Sequence, residues 1–174
     1  MAEKKSVQDL LVEEIKDLYS AEKQLTKAIP KMAKGSSGEA LQQAFSSHLK
    51  ETEQQVQRLE QVAGILGVNV KGKKCIGMEG CIQEGAEMLE EEGEENILDL
   101  GLIGAGTRVE HYEMAGYMTA ISLAQRLRNS EVVELLNASL AEEQAAEKKL
   151  RTIGADLLKS APAEAVAKSG AGIL

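Results

Sequence analysis

Leu11-Val12-Glu13-Glu14-Ile15-Lys16-Asp17-Leu18-Tyr19-Ser20-Ala21-Glu22-Lys23-Gln24-Leu25 decides the fold. Leu11, Ile15, Leu18 and Leu25 recur at the four-and-three spacing of one helix face, and Ile29 and Met32 continue the series. Glu22 occupies its one missing place. The pattern predicts a first helix from Ser6, an N-cap residue, to about Met32, with Pro30 kinking or loosening its last turn. A carboxylate on the stripe that faces the core needs a partner, because burying an isolated charge is costly.

Gly35-Ser36-Ser37-Gly38 is a short helix-to-helix loop, so the second helix, about Gly38 to Leu66, returns antiparallel beside the first. Its stripe of Leu41, Ala44 or Phe45, His48, Glu51 or Thr52, Gln55, Leu59, Val62 and Leu66 is apolar at both ends and polar in the middle. Gly67 and Gly72, with Lys71, Lys73 and Lys74, mark a loop, and a short helical segment from about Cys75 to Glu92 serves as the crossover. A third long helix, about Asn96 to Leu127, places both Glu110 and Glu113 on its broad inner face. After Arg128-Asn129-Ser130 a fourth carries Leu136, Leu140, Glu143, Glu147 and Leu150 in the same alternation.

The expected fold class is therefore all-α: a four-helix bundle over residues 6–158 with one long crossover carrying a short extra helix, the ferritin-like topology, and a flexible tail over 159–174. One Phe, three Tyr and no Trp starve a sheet of its preferred residues. With 28 acidic and 20 basic residues the chain carries a formal charge of −8, which argues against nucleic acid as a partner. No window approaches a membrane span or a signal peptide, and the expectation is a cytoplasmic protein with no membrane partner. Cys75 and Cys81 read as reduced packing thiols, since their spacing fits neither a CxxC motif nor a zinc site.

Glu22, Glu51, Glu110 or Glu113, and Glu143 sit near the middle of the four long helices, so in a bundle they meet at one level. Mutual repulsion and desolvation would raise their pKa values or unfold the bundle, and a pair of metal ions removes that repulsion. Hard oxygen donors with an imidazole suit iron or manganese. The usual carboxylate-bridged site takes a Glu-x-x-His pair from each of two helices, whereas here Gln54 follows Glu51 and Ala146 follows Glu143 at that spacing. His48, one turn before Glu51, offers a nitrogen instead, and Glu113 and Glu147 offer further oxygens. His111 points away from this face, Tyr112 and Tyr117 read as packing residues, either of which could donate a hydrogen bond if near the metals, and Glu79 and Glu84 read as surface charges.

The strings Tyr19-Ser20-Ala21-Glu22-Lys23-Gln24-Leu25, His48-Leu49-Lys50-Glu51-Thr52, Lys74-Cys75-Ile76-Gly77-Met78-Glu79-Gly80 and Arg108-Val109-Glu110-His111-Tyr112-Glu113 resemble the YciE/YciF family of bacterial ferritin-like stress proteins. Leu140 to Leu150 is in register with that family's last helix. The resemblance implies a bundle related to rubrerythrins, a homodimer, an association with stress responses, and a dimetal centre. The centre would fall on Glu22, Glu51, Glu110 and Glu143, with Glu113, Glu147 and His48 as further members. Two iron or manganese ions reacting with peroxide or dioxygen are then the leading expectation. The alternative is a non-catalytic dimerisation or scaffold module whose interior acids are held by Lys, Arg or water.

Overall fold

The structure, a computed structural model, describes residues 6–163. Among these, five helices and no strand are present: α1 (Val7–Gly35), α2 (Glu39–Leu66), α3 (Ile76–Met88), α4 (Glu95–Arg126) and α5 (Ser130–Leu158). All five match the elements expected from hydrophobic periodicity. The expected tail lies mostly outside the described residues.

Local chemistry sets the boundaries. Ser6 Oγ accepts a hydrogen bond from the Asp9 amide, Asn129 does the same for Val132, and Cys75 Sγ takes this role for Met78 at the start of α3. Gly67 ends α2 in the left-handed conformation (φ 67°), which glycine adopts without steric cost. Pro30 does not end α1, which continues to Gly35. Its ring falls on the exposed side while Ile29 packs inward, so what is lost is one backbone donor at the helix surface.

The hairpin partners α1/α2 and α4/α5 pack together, and α1 also lies against α4 and α2 against α5. The start of α4 meets the end of α1: the buried Asp99 carboxylate accepts from the backbone amides of Ser37 (2.9 Å) and Gly38 (2.8 Å). Helix α4 therefore runs antiparallel to α1, and every adjacent pair in the bundle is antiparallel. The crossover strap, α3, packs on α1 and α4. Its start is pinned by the Cys75 amide donating to Ser20 Oγ (2.8 Å) and by Gln24 donating to the Cys75 carbonyl (3.0 Å). Both cysteines are free thiols, and Cys75 is more than packing because its sulfur also meets Asp17 and Tyr112 Oη.

The apolar core is split in two. One cluster gathers Leu11, Ile15 and Leu18 with Leu59, Val62, Tyr117, Ile121 and Leu136. The other gathers Leu25 and Ile29 with Leu41, Phe45, Met78, Leu102 and Leu150. Glu22, His48, Thr52, Gln55, Glu110, Glu113, Ser139 and Glu143 are the buried polar residues of the four long helices at the level between them.

The buried Asp99 carboxylate ties two chain segments by accepting from two partly exposed backbone amides, so Asp99→Ala should cost roughly 2–3 kcal/mol, the worth of hydrogen bonds to a charged group. For a chain of this size that lowers Tm by about 5–10 °C. Thermal melting checks this, and an unchanged Tm would show that the turn is held by other contacts.

Candidate metal centre

Each long helix delivers its polar residue by the same device, a charged or polar side chain at a stripe position between two apolar turns. Glu22 comes from α1, His48 from α2, Glu110 and Glu113 from α4, and Glu143 from α5, and all five are buried. One ligand-type atom from each of His48, Glu110, Glu113 and Glu143 can be chosen so that all lie within 4.8 Å of one another. Glu22 joins from the α1 side, where it accepts a hydrogen bond from the hydroxyl of Tyr117, itself wholly buried.

The electrostatics are severe. Burial first, then repulsion from Glu143, pushes Glu22 from its ordinary 4.5 up to about 8. Burial pushes Glu110 up to about 8 as well. Glu113 and Glu143 are driven well above the carboxylate range, by burial and then by the neighbouring acids. Burial alone would lower His48, but the Glu51 hydrogen bond and the surrounding carboxylates leave it above its usual value.

The cluster is also unsatisfied. Glu22 Oε2, His48 Nε2, Glu110 Oε2 and both oxygens of Glu113 and of Glu143 are buried without a hydrogen-bond partner. Among the described residues no Lys or Arg forms an ion pair with any of these acids. Arg58, which could have reached inward from α2, is instead bound through two nitrogens to Glu142, each at 2.6 Å. Buried, inward-facing oxygens without a hydrogen-bond partner, with only the His48 imidazole among the described residues within ion-pair distance of Glu110 and Glu143, are what a hard cation needs, so the donor set fits a metal centre.

Of the sequence-derived candidates, Glu110 and Glu113 had competed for one place, and both are in the cluster. Glu51 and Glu147 are not. Glu51 is 38% exposed and accepts from His48 Nδ1 at 3.3 Å. It lies about 60° round α2 from His48, at the edge of the inward stripe, which Thr52 and Gln55 complete. With Nδ1 committed to Glu51, Nε2 of His48 turns inward, 3.4 Å from Glu110 and 3.6 Å from Glu143. Glu147, a turn beyond Glu143, pairs with Arg151 at 3.2 Å. His111 is exposed, as its position on α4 implied. Tyr117 contributes more than packing, and its place four residues after Glu113 on the same face was the available signal. A small cleft of about 70 Å³ between α2 and α5, lined by Ser47, Glu51 and Lys149, reaches His48 and Glu110 from the solvent.

Taken together, the fold and its polar waist define a ferritin-like helical bundle with a buried carboxylate and imidazole cluster. The chain belongs to the family described as a domain of unknown function, DUF892, whose model matches residues 6–162. It is 42% identical over 147 residues to protein YciF of Escherichia coli K12, covering 84% of this chain and 89% of that one. The crystal structure of the E. coli stress protein YciF superimposes with a TM-score of 0.88 at 38% identity, covering 91% of this chain and all of the other. YcfI of Rhodopseudomonas palustris matches at a TM-score of 0.82 and 39% identity, over 85% of this chain and 94% of that one. A protein of Xanthomonas campestris, at 18% identity and a TM-score of 0.71 over 89% of this chain and 95% of that one, shares the fold. The family resemblance carried by the sequence strings is thus borne out. No described helix is long and apolar enough to cross a membrane.

The raised carboxyl groups make metal-free protein lose stability as pH rises. The folded chain holds protons on Glu22 and Glu110 up to about pH 8, whereas the unfolded chain releases them near 4.5, so their contribution is complete below 4.5 and is lost as pH climbs through 8. His48 acts in the same direction. Glu51, whose hydrogen bond from His48 holds it below its usual value, acts oppositely but only at more acid pH. The Tm of chelator-treated protein should therefore fall between pH 5 and 8, and a rising Tm would contradict this assignment.

Proposed function

We propose that the waist of this bundle binds two iron or manganese ions and that the protein serves the stress response by reacting them with peroxide or dioxygen. The observation that carries the reading is the set of buried, unpartnered oxygens and one imidazole nitrogen converging from all four long helices. Four carboxylates, Glu22, Glu110, Glu113 and Glu143, carry four negative charges when ionised, the charge that two divalent ions balance. Glu22, His48, Glu110, Glu113 and Glu143 would hold the ions. Such a pair supplies one-electron chemistry by cycling between divalent and trivalent states.

The remaining roles belong to the chain itself. Glu51 orients His48 through Nδ1 and keeps its Nε2 lone pair directed inward. The Tyr117 hydroxyl holds a proton at Glu22, and burial followed by repulsion from Glu22 keeps that phenol protonated well beyond its ordinary range. The two apolar clusters exclude water on either side. Glu51, at the margin, offers a carboxylate to an incoming cation along the α2/α5 cleft.

Adding Mn(II) or Fe(II) to chelator-treated protein should raise its stability by roughly 2.7 kcal/mol at a hundredfold excess over Kd. That corresponds to about 5–10 °C in Tm for a chain of this length. Glu143→Gln should have opposite effects in the two states: metal-free protein becomes more stable at neutral pH, because folding no longer has to protonate a carboxyl group that the unfolded chain ionises, and the metal-induced shift disappears. Protein isolated without chelator should carry about two metal ions per chain and consume peroxide faster than buffer. A chain that folds without metal, gains no stability from it and turns over no peroxide is the scaffold of the alternative reading.

A further inference from the structure

A second and larger opening reaches the same site from the other side of the bundle. A cleft of about 290 Å³ lies where α3 crosses α1 and α4, and its inner end is formed by His48 and Glu110. It persists because small residues, Ala28, Gly85, Ala86, Ala105 and Gly106, line it where facing helices would otherwise interdigitate. A side chain at Gly85 would point toward Met32 Sδ, 3.4 Å from its Cβ. Between these positions the walls are apolar: Met32, Phe45, Ile82, Leu89 and Val109.

The rim is different in kind. Lys27 and Lys31 stand one turn apart on the exposed side of α1, and neither is hydrogen-bonded or ion-paired among the described residues. Glu79, the acid at the rim, is already paired with Lys74. A chain with a formal charge of −8 thus presents two uncommitted cations at the mouth of an apolar cleft. Apolar walls, a cationic mouth and a small volume select an elongated amphiphile with an anionic head.

We propose that this cleft binds an aliphatic carboxylate of medium chain length, its head on Lys27 and Lys31 and its hydrocarbon end toward His48 and Glu110. The volume accommodates roughly ten carbons at protein-like packing density. The assignment gives a ligand class to the metal-centre reading above, because the chain would end against two of that centre's residues. The α2/α5 cleft, a quarter of the size and with Glu51 on its wall, is then left to cations and water.

Calorimetric titration of decanoate into the full-length protein, both chelator-treated and metal-loaded, tests this directly. One decanoate should bind per chain in both states, and decyltrimethylammonium, with the same tail and the opposite head, should bind at least tenfold more weakly. The double substitution Lys27→Glu, Lys31→Glu should reverse that preference. Ala86→Trp fills the cleft from an exposed position and should abolish binding while leaving metal uptake unchanged. Absence of decanoate binding, equal affinity for both heads, or undiminished binding by Ala86→Trp would overturn the proposal. So would a change of molecular mass in solution on Ala86→Trp, which would make the cleft an interface between copies of the chain. The two readings fail separately: metal uptake without decanoate binding removes only this one, and decanoate binding without metal uptake removes only the metal centre.

Discussion

Four carboxylates held out of water at the waist of one bundle are the constraint on which the rest of the structure depends. An apolar core running unbroken along 28- to 32-residue helices would be more stable on its own terms. Here it is divided, and the layer between its halves carries Glu22, Glu110, Glu113 and Glu143 with a single buried imidazole. Among the described residues neither Lys nor Arg pairs with them, and the Arg58 guanidinium is tied to Glu142. A protein tolerates such a layer only by keeping the acids protonated or by supplying a cation. The apolar clusters above and below stabilise the frame that makes the cost bearable.

The arrangement also explains why the crossover is shaped as it is. Helix α3 does not cover the waist evenly. Pinned at Cys75 to Ser20 and Gln24 on α1, it lies over the α1/α4 seam and leaves an apolar cleft whose inner end is the polar layer. The opposite seam, between α2 and α5, admits a smaller cleft beside Glu51.

Most of this was legible in the sequence because helical bundles write themselves as periodicity. The four-and-three alternation located each long helix within a few residues, and the single gap at Glu22 pointed to the layer that divides the core. What periodicity blurred was position within a broad face. Glu110 and Glu113 both fit, and both are buried; Glu51 and His48 both fit, and only His48 turns inward, because a few tens of degrees around α2 separate the core from its margin. The Asp99 bonds to Ser37 and Gly38, some sixty residues away, left no mark in the pattern, since capping from another helix depends on tertiary placement rather than spacing. Tyr117 was legible as core and as a hydrogen-bond donor if near the metals, but Glu22 as its partner was not, for a hydroxyl's partner is set by the facing helix.

The most direct test of the central claim is anomalous diffraction at the iron and manganese edges from crystals of protein purified without chelator. The account predicts two anomalous peaks enclosed by Glu22, His48, Glu110, Glu113 and Glu143. A waist with no anomalous peak, its carboxyl groups hydrogen-bonded to one another or to ordered water, would contradict it.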